Sequence, residues 1–184
     1  MSVTTLPTEL TAGAWVADVS HSEAGFTVRH AGISKVRGFV AITEATITIG
    51  ADLSASAVTA TLDASTIDTR DENRDGHLKG ADFFDVENFP TWTFVSTSVT
   101  GSGAEAVVAG DLTIHGVTRP VTLATEFTGT AVDPWGNLRA GFSASTEISR
   151  KDFGLTWNAA LEAGGVLVGD KVKIALDLSA IKQA

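Results

Sequence analysis

The sequence GDLTIHGVTRPVTLATEF, at residues 110–127, indicates a β-rich fold because apolar and polar side chains alternate on both sides of its central His-Gly pair. Alternation with a period of two is typical of a half-buried β-strand, in which one set of side chains faces a core and the other faces water. The same pattern recurs at residues 26–30, 58–63, 138–148 and 172–178. We count about eight such segments, and eight antiparallel strands can close a barrel that holds side chains or one small ligand.

A polar segment at residues 69–84, TRDENRDGHLKGADFF, interrupts this strand-like pattern. Thr69 followed by Glu72 fits a capping box, in which the two side chains satisfy unpaired backbone donors at a helix N-terminus. The segment therefore predicts a short helix over residues 70–79 that ends at Gly80.

A second polar segment, SRKDFGLTW at residues 149–157, carries a weaker helix-start signal in Ser149 and Asp152. It predicts a single helical turn over residues 149–154. Short helical elements among many alternating strands indicate an all-β protein, namely an antiparallel barrel of about eight strands with these elements at one end.

The chain is predicted to form one domain after a short lead. Residues 1–13 contain Thr, Pro and Glu and offer little apolar surface, which predicts a flexible N-terminal lead. Residues 14–184 then form a single barrel domain. Within it, the sequence DPWG at residues 133–136 places Asp, Pro and Gly where a β-turn prefers them, so we expect a hairpin there.

Composition excludes several functions and partners. The chain has 13 basic and 22 acidic residues, and its net charge of -9 would repel a polyphosphate backbone, so nucleic acid is not an expected partner. The absence of cysteine excludes disulfides and thiol nucleophiles. The N-terminus lacks the basic and apolar regions of a secretory signal, which predicts a cytoplasmic protein. No apolar run reaches about 18 residues, so any membrane contact would be peripheral.

The four histidines do not form a recognisable metal motif. No pair among His21, His30, His77 and His115 has the i, i+4 spacing of a helical zinc site, so we expect no metal and no cofactor. His115 precedes a glycine at a strand end and should be a surface or turn residue. His30 continues the apolar face that begins at Phe26, so it should be partly buried, where it could meet a ligand headgroup.

Several short motifs occur in an order typical of one protein family. They are Trp15-x-x-Asp18-x-x-His21-Ser22, Phe26-x-Val28-x-His30, Ser65-x-x-Asp68-Thr69, Arg74-Asp75-x-His77-Leu78, Asp82-Phe83-Phe84, Phe89-Pro90, Gly110-Asp111-Leu112-Thr113-Ile114-His115-Gly116-Val117-Thr118 and Arg150-Lys151-Asp152-Phe153-Gly154. Over residues 15–178 the chain thereby resembles the YceI-like family. The resemblance implies a lipocalin-like barrel whose apolar cavity binds amphiphiles with polyisoprenoid chains, such as isoprenoid quinones. Many members are periplasmic, and this chain departs from them because no signal peptide is apparent.

The apolar faces of the strands supply side chains that would line such a cavity. They are Phe26, Val28, Ala60, Leu62, Trp92, Phe94, Leu112, Ile114, Phe142, Ala144, Ile174 and Leu176. Four positions, Gly38, Ala60, Gly110 and Ala144, are too small to fill a barrel, which predicts a tunnel between bulkier walls. Alternation shows which side chains face the interior, but not whether they leave a cavity between them. The pattern alone is therefore equally compatible with an ordinary filled core.

Aromatic and polar side chains near the two helical segments each have two interpretations. The aromatic ones are Phe83, Phe84, Phe153 and Trp157. They either plug one end of the barrel or form a gate that contacts a ligand. The polar ones are Arg74, His77, Arg150 and Asp152. They either hold the helical segments in place or recognise a ligand headgroup.

Three functions remain open. We expect a carrier that binds, sequesters or transports a long-chain isoprenoid or a similar amphiphile. An enzyme acting on an isoprenoid-like or other apolar substrate has little support, because GxSxG, P-loop and GxGxxG motifs are absent and Asp18, His21 and Ser22 are sequence neighbours that rarely converge as a relay. The third possibility is an adaptor that has a filled core and binds another protein through its outer surface.

Overall fold

Nine strands form one antiparallel sheet in the computed structural model, which describes residues 4–184. They are β1 (Gly13–Ala17), β2 (Glu23–His30), β3 (Ser34–Ile49), β4 (Ala57–Asp68), β5 (Thr91–Ser102), β6 (Glu105–Ile114), β7 (Val117–Val132), β8 (Leu138–Ser149) and β9 (Val168–Lys182). From β2 to β9 each strand pairs with the next along the chain, and β9 pairs with β2. The sheet therefore closes into an up-and-down barrel.

Strands β1 and β2 together occupy one position in the barrel wall. Both pair with β3 on one side and β9 on the other, since Trp15 lies opposite Ile47 and Phe26 lies opposite Gly38. A 3₁₀ turn at Val19–His21 separates the two strands. The barrel therefore has eight strand positions, and the prediction of a closed antiparallel barrel of about eight strands is confirmed.

The helix α1 (Glu72–Lys79) lies in the connection between β4 and β5, as the sequence predicted, but it starts differently. Asp71 is its N-cap, and its side chain accepts a hydrogen bond of 2.9 Å from the backbone N–H of Arg74. The predicted capping box of Thr69 and Glu72 is therefore wrong. Arg70 has a positive φ of 65°, so the backbone turns between Thr69 and the helix instead of running into it.

The second helical element is the single turn Arg150–Phe153, which confirms that prediction. Gly154 ends the turn with φ of 76°, a left-handed conformation that glycine adopts without a steric penalty. Ser149 makes no side-chain capping bond to the turn and instead donates to the carboxylate of Asp170 at 2.7 Å. The capping role predicted for Ser149 is therefore wrong, although the turn itself forms.

The predicted hairpin at residues 133–136 joins β7 to β8. The carboxylate of Asp133 accepts hydrogen bonds from the backbone N–H groups of Trp135 (3.0 Å) and Asn137 (2.9 Å). Gly136 completes the turn with φ of 85° and donates its N–H to the carbonyl of Asp133. The four residues DPWG were therefore sufficient to predict this turn.

The N-terminal segment packs against the end of the barrel opposite α1. Leu10 is only 4% exposed and belongs to the same apolar cluster as Trp15. Leu53, in the β3–β4 connection, donates its N–H to the carbonyl of Thr4, and Gly103, in the β5–β6 connection, donates to that of Thr5. The expectation that the lead has little apolar surface to bury is therefore wrong for residues 4–12, and residues 1–3 lie outside the described part of the chain.

No helix among residues 4–184 has the length and apolar character needed to span a bilayer.

Candidate functional site: an apolar cavity inside the barrel

The barrel encloses a cavity of about 260 Å³. Alternate side chains from every strand position line it, because successive residues of a strand point to opposite faces of the sheet. The wall is almost entirely apolar; its exceptions are Ser56, Thr125, Thr146 and Arg150. The hydroxyls of Ser56 and Thr125 are already bonded to the backbone carbonyls of Asp52 and Leu123. The interior therefore contains an apolar lumen and is not a filled core.

Fourteen of the sixteen residues that the sequence suggested for ligand binding lie on this wall. They are Phe26, Val28, Ala60, Leu62, Phe83, Phe84, Trp92, Phe94, Leu112, Ile114, Phe142, Ala144, Ile174 and Leu176. For the twelve that lie on strands, the alternating pattern identified the inward orientation correctly, whereas Phe83 and Phe84 lie between α1 and β5.

The other two, His30 and Trp157, do not line the cavity. His30 is exposed, so the expectation of a partly buried histidine is wrong. The pairing of β2 with β9 shifts register between Val28 and His30, and this irregularity ends the alternation that the sequence pattern extended to His30. Trp157 is half-buried and packs edge-on to the ring of His77, with ring centroids 4.8 Å apart.

Two of the four small residues expected to leave a tunnel do not line it. The ring of Phe26 covers Gly38 and the ring of Phe94 covers Gly110, so closely that a Cβ at either glycine would overlap the ring. These glycines make room for aromatic side chains and not for a ligand. Ala60 and Ala144 do lie on the cavity wall.

The α1 end of the cavity is covered by side chains from the segment that follows β4. Leu78, Phe83 and Phe84 line the cavity there, and the ring of Phe84 packs on Trp92 with centroids 4.7 Å apart. Phe153 is 1% exposed and lies in the core cluster at this end, so of the two interpretations it fits the plug.

The opposite end of the cavity is closed by residues that the sequence analysis missed. Pro7 and Leu10 of the N-terminal segment line it, together with Leu53 in the β3–β4 connection. A single leucine in a short polar segment does not form an alternating or helical pattern. The sequence therefore gave no indication that Leu10 lies inside the barrel.

Several of the other wall residues missed by the sequence analysis lie on β3 and β7. On β7 they are Val121, Leu123, Thr125 and Phe127, whose alternation was visible in the sequence and could have identified them. On β3 they are Val40, Ile42, Ala45, Ile47 and Ile49. Between Ile42 and Ala45 the inward positions change from even to odd numbers, because the pairing with β4 shifts by one residue there.

Arg150 lies at the cavity wall and is 4% exposed. Its guanidinium donates four hydrogen bonds to backbone carbonyls, those of Leu155, Trp157, Val168 and Gly169. Burial lowers the pKa of this guanidinium from its ordinary value, and the nearby charge of Asp170 acts in the opposite direction. This arrangement favours the structural interpretation, since the side chain holds the β8–β9 connection together.

Arg74 also serves the local structure. Its guanidinium donates to the hydroxyl and to the carbonyl of Thr69, both at 2.7 Å, and the same hydroxyl donates to the carboxylate of Asp75. These bonds attach α1 to the end of β4. Of the two interpretations given to Arg74, this arrangement favours the structural one, in which the side chain holds the helical segment in place.

His77 and Asp152 remain on the surface at the α1 end. Nε2 of His77 lies 2.9 Å from a carboxylate oxygen of Asp82, and its ring packs edge-on to Phe83 with centroids 5.0 Å apart. Asp152 is exposed. His115 adopts the turn conformation expected for it, with φ of 55°, and lies 3.3 Å from the carbonyl oxygen of Phe153.

Asp18, His21 and Ser22 do not form a catalytic relay. A carboxylate oxygen of Asp18 and the hydroxyl of Ser20 lie 2.9 and 3.0 Å from the same imidazole nitrogen of His21, whereas a relay places acid and nucleophile on different nitrogens. The hydroxyl of Ser22 instead donates to the backbone carbonyl of Asp18 at 2.8 Å.

Asp18 belongs instead to an ion-pair network with Arg139 and Asp133. The guanidinium of Arg139 donates to Asp18 at 2.8 Å and to Asp133 at 2.7 Å. Hydrogen bonds from Ser20, Arg139 and His21 hold the pKa of Asp18 well below its ordinary value. At Asp133 burial acts to raise the pKa, but bonds from Asn137 and Arg139 outweigh it and the pKa is also well below its usual range. This network lies outside the cavity wall.

Across residues 4–184, no three His, Asp or Glu side chains are grouped as metal ligands would be.

A closed up-and-down barrel around an apolar cavity is the architecture of lipocalin-like proteins. A family model for the YceI-like domain matches residues 15–180. Protein YceI of Salmonella arizonae is 41% identical over 137 residues, which cover 74% of this chain and 72% of that protein. This chain belongs to the YceI-like family.

Solved structures share the fold. The crystal structure of Burkholderia cenocepacia BcnA superimposes with a TM-score of 0.77 at 22% identity, covering 89% of this chain and 98% of that one. A polyisoprenoid binding domain from Saccharophagus degradans, implicated in plant cell wall breakdown, gives a TM-score of 0.66 at 13% identity, covering 94% of this chain and all of the other. At these identities the likeness concerns the fold.

Proposed function

We propose that this protein binds a long-chain isoprenoid or a similar amphiphile in the cavity of its barrel, and sequesters or carries it. The observation that carries the proposal is the cavity of about 260 Å³ whose wall is apolar apart from four residues. A structural relative in the same fold is a polyisoprenoid binding domain, which supports the choice of ligand class.

The size of the wall and the hydrophobic effect make tight binding feasible. On β7 the lining runs from Val121 to Phe127, six residue steps or about 20 Å. Burying one methylene contributes about 0.8 kcal/mol, so a five-carbon isoprene unit contributes up to about 4 kcal/mol before the costs of association. A few units in the lumen would therefore bind tightly without a charged contact.

Binding is proposed to be an equilibrium, with no chemical step. Arg150, the one ionisable side chain on the cavity wall within residues 4–184, is occupied by backbone carbonyls. The wall thus offers little acid, base or nucleophile chemistry, which argues against turnover of an apolar substrate. The proposal includes a cytoplasmic carrier, an isoprenoid quinone as one candidate cargo, and peripheral contact with membranes during loading.

Native mass spectrometry and titration with geranylgeraniol test this function. The wild-type protein should bind one molecule per chain and return it unchanged after prolonged incubation. Ala60→Phe and Ala144→Phe place a ring in the lumen and should weaken binding by about tenfold or more, equivalent to about 1.4 kcal/mol. Ala175 is exposed on the outer face of β9, so Ala175→Phe is the matched control and should bind like wild type.

Two results would count against the proposal. Wild-type protein that binds neither geranylgeraniol nor a longer polyprenol, and that always purifies empty, would remove the carrier function. Conversion of the alcohol into a new product would favour the enzyme, and a stable co-purifying protein with no lipid binding would favour the adaptor.

A further inference from the structure

Trp92 lies on the cavity wall and is 8% exposed. Its Nε1 is, among residues 4–184, the one buried side-chain nitrogen or oxygen without a hydrogen-bond partner. An indole N–H can only donate, and buried donors in proteins nearly always find an acceptor. This donor therefore calls for an acceptor that the protein itself does not supply.

The surroundings of Trp92 do not suit an ordered water molecule. The ring packs on Phe84 and belongs to an apolar cluster that includes Val40, Ile114 and Ile148. A buried water needs two to four polar partners, and these neighbours have no polar side-chain atoms. Arg150, the charged residue on the wall, is committed to backbone carbonyls such as that of Leu155.

We propose that Trp92 donates a hydrogen bond from Nε1 to a neutral oxygen acceptor on the bound amphiphile, such as a carbonyl. This inference rests on the proposed function and makes it more specific. The acceptor is neutral because the surrounding wall is apolar and an unpaired charge is strongly disfavoured there. The site therefore selects carbonyl-bearing amphiphiles over pure hydrocarbons and over prenyl diphosphates.

The position of Trp92 also sets the orientation of the ligand. Trp92 is the second residue of β5, and its ring packs on Phe84, which lines the α1 end of the cavity, so the acceptor lies at that end. The tail then runs along the lumen toward Leu10, which lines the opposite end. The headgroup is thus held inside the barrel beneath Phe84.

A thermodynamic cycle tests the hydrogen bond. The probes are decylubiquinone, which has carbonyl oxygens on its ring, and decylbenzene, which has the same ten-carbon tail and no acceptor. Trp92→Phe keeps an aromatic ring and removes the N–H. The ratio of the two affinities should fall by about fivefold to tenfold in this variant, the factor that one neutral hydrogen bond supplies. Trp135 is 80% exposed, so Trp135→Phe is the control and should leave the ratio unchanged.

The outcomes separate this inference from the function on which it rests. If both probes bind wild type and the ratio is the same in Trp92→Phe, the hydrogen bond is refuted while lipid binding stands. If geranylgeranyl diphosphate binds as tightly as decylubiquinone, a neutral acceptor site is also refuted. If neither probe nor geranylgeraniol binds wild type, the proposed function and this inference both fail.

Discussion

Gly110 shows that a position without a side chain can make room for a neighbouring aromatic ring instead of widening the cavity. The ring of Phe94 and the backbone carbonyl of Val95 lie where a Cβ of residue 110 would be. The aromatic ring can therefore approach β6 this closely only because residue 110 has no side chain. Gly76 differs, since it lies in α1 with nothing within 4 Å of its would-be Cβ.

Substituting these two glycines should have opposite effects on stability. Gly110→Ala forces Phe94 to move within a packed core and should lower the free energy of unfolding by about 1–3 kcal/mol. Gly76→Ala removes conformational freedom from the unfolded chain and should raise it by up to about 1 kcal/mol. Urea denaturation of both variants measures the difference, and a neutral Gly110→Ala would show that Phe94 repacks without cost.

The connection between β8 and β9 is an element held by several hydrogen bonds from one side chain, that of Arg150. Arg150 bonds carbonyls near both ends of the connection, those of Leu155 and Trp157 on one side and those of Val168 and Gly169 on the other. The planar guanidinium presents five N–H donors in a fixed arrangement, which the ammonium group of lysine cannot reproduce.

Arg150→Lys should therefore lower the free energy of unfolding by at least about 3 kcal/mol, because several buried carbonyls lose their donors. Amide hydrogen exchange should also accelerate between residues 155 and 169. The exposed neighbour Lys151 provides the control, and Lys151→Gln should change stability by less than about 0.5 kcal/mol. Equal stability of Arg150→Lys and wild type would mean that the connection is held by its apolar contacts.

At the scale of the whole molecule, the network of Asp18, Arg139 and Asp133 joins parts of the barrel that are distant in sequence. Asp18 follows β1, Asp133 lies in the β7–β8 turn, and Arg139 is on β8. The pKa values of both carboxyls are lowered in the folded protein. Their contribution to stability is therefore complete above their ordinary pKa of 3.8 and is lost as the pH falls through the lower folded values.

Arg139→Met should accordingly lower the melting temperature clearly at pH 7 and much less at pH 2, because below pH 3.8 the unfolded wild-type chain takes up protons at these carboxyls while the folded protein does not, and the stabilisation is lost. Thermal unfolding at several pH values between 7 and 2 measures this convergence. Arg119 donates its side-chain hydrogen bond to a backbone carbonyl, so Arg119→Met should give a shift independent of pH. Parallel curves for Arg139→Met and wild type would contradict the role given to the network.

Local sequence patterns determined the strand-rich architecture, the turn at residues 133–136 and most of the inward-facing residues. These features depend on neighbouring residues, because alternation sets which face of a strand is apolar and turn residues set local dihedral angles. Family motifs added the expectation of a cavity, which alternation alone could not distinguish from a filled core.

Only the tertiary structure determines where the alternation of apolar and polar residues along a strand ends and which side chains close the cavity. The register shift after Ile42 and the one before His30 depend on how β3 pairs with β4 and β2 with β9, and no local pattern encodes such pairing. Leu10 became part of the wall, and the rings of Phe26 and Phe94 covered glycines, through contacts between distant residues. A sequence states which residues prefer burial, but the space that they leave between them depends on how all the strands pack together.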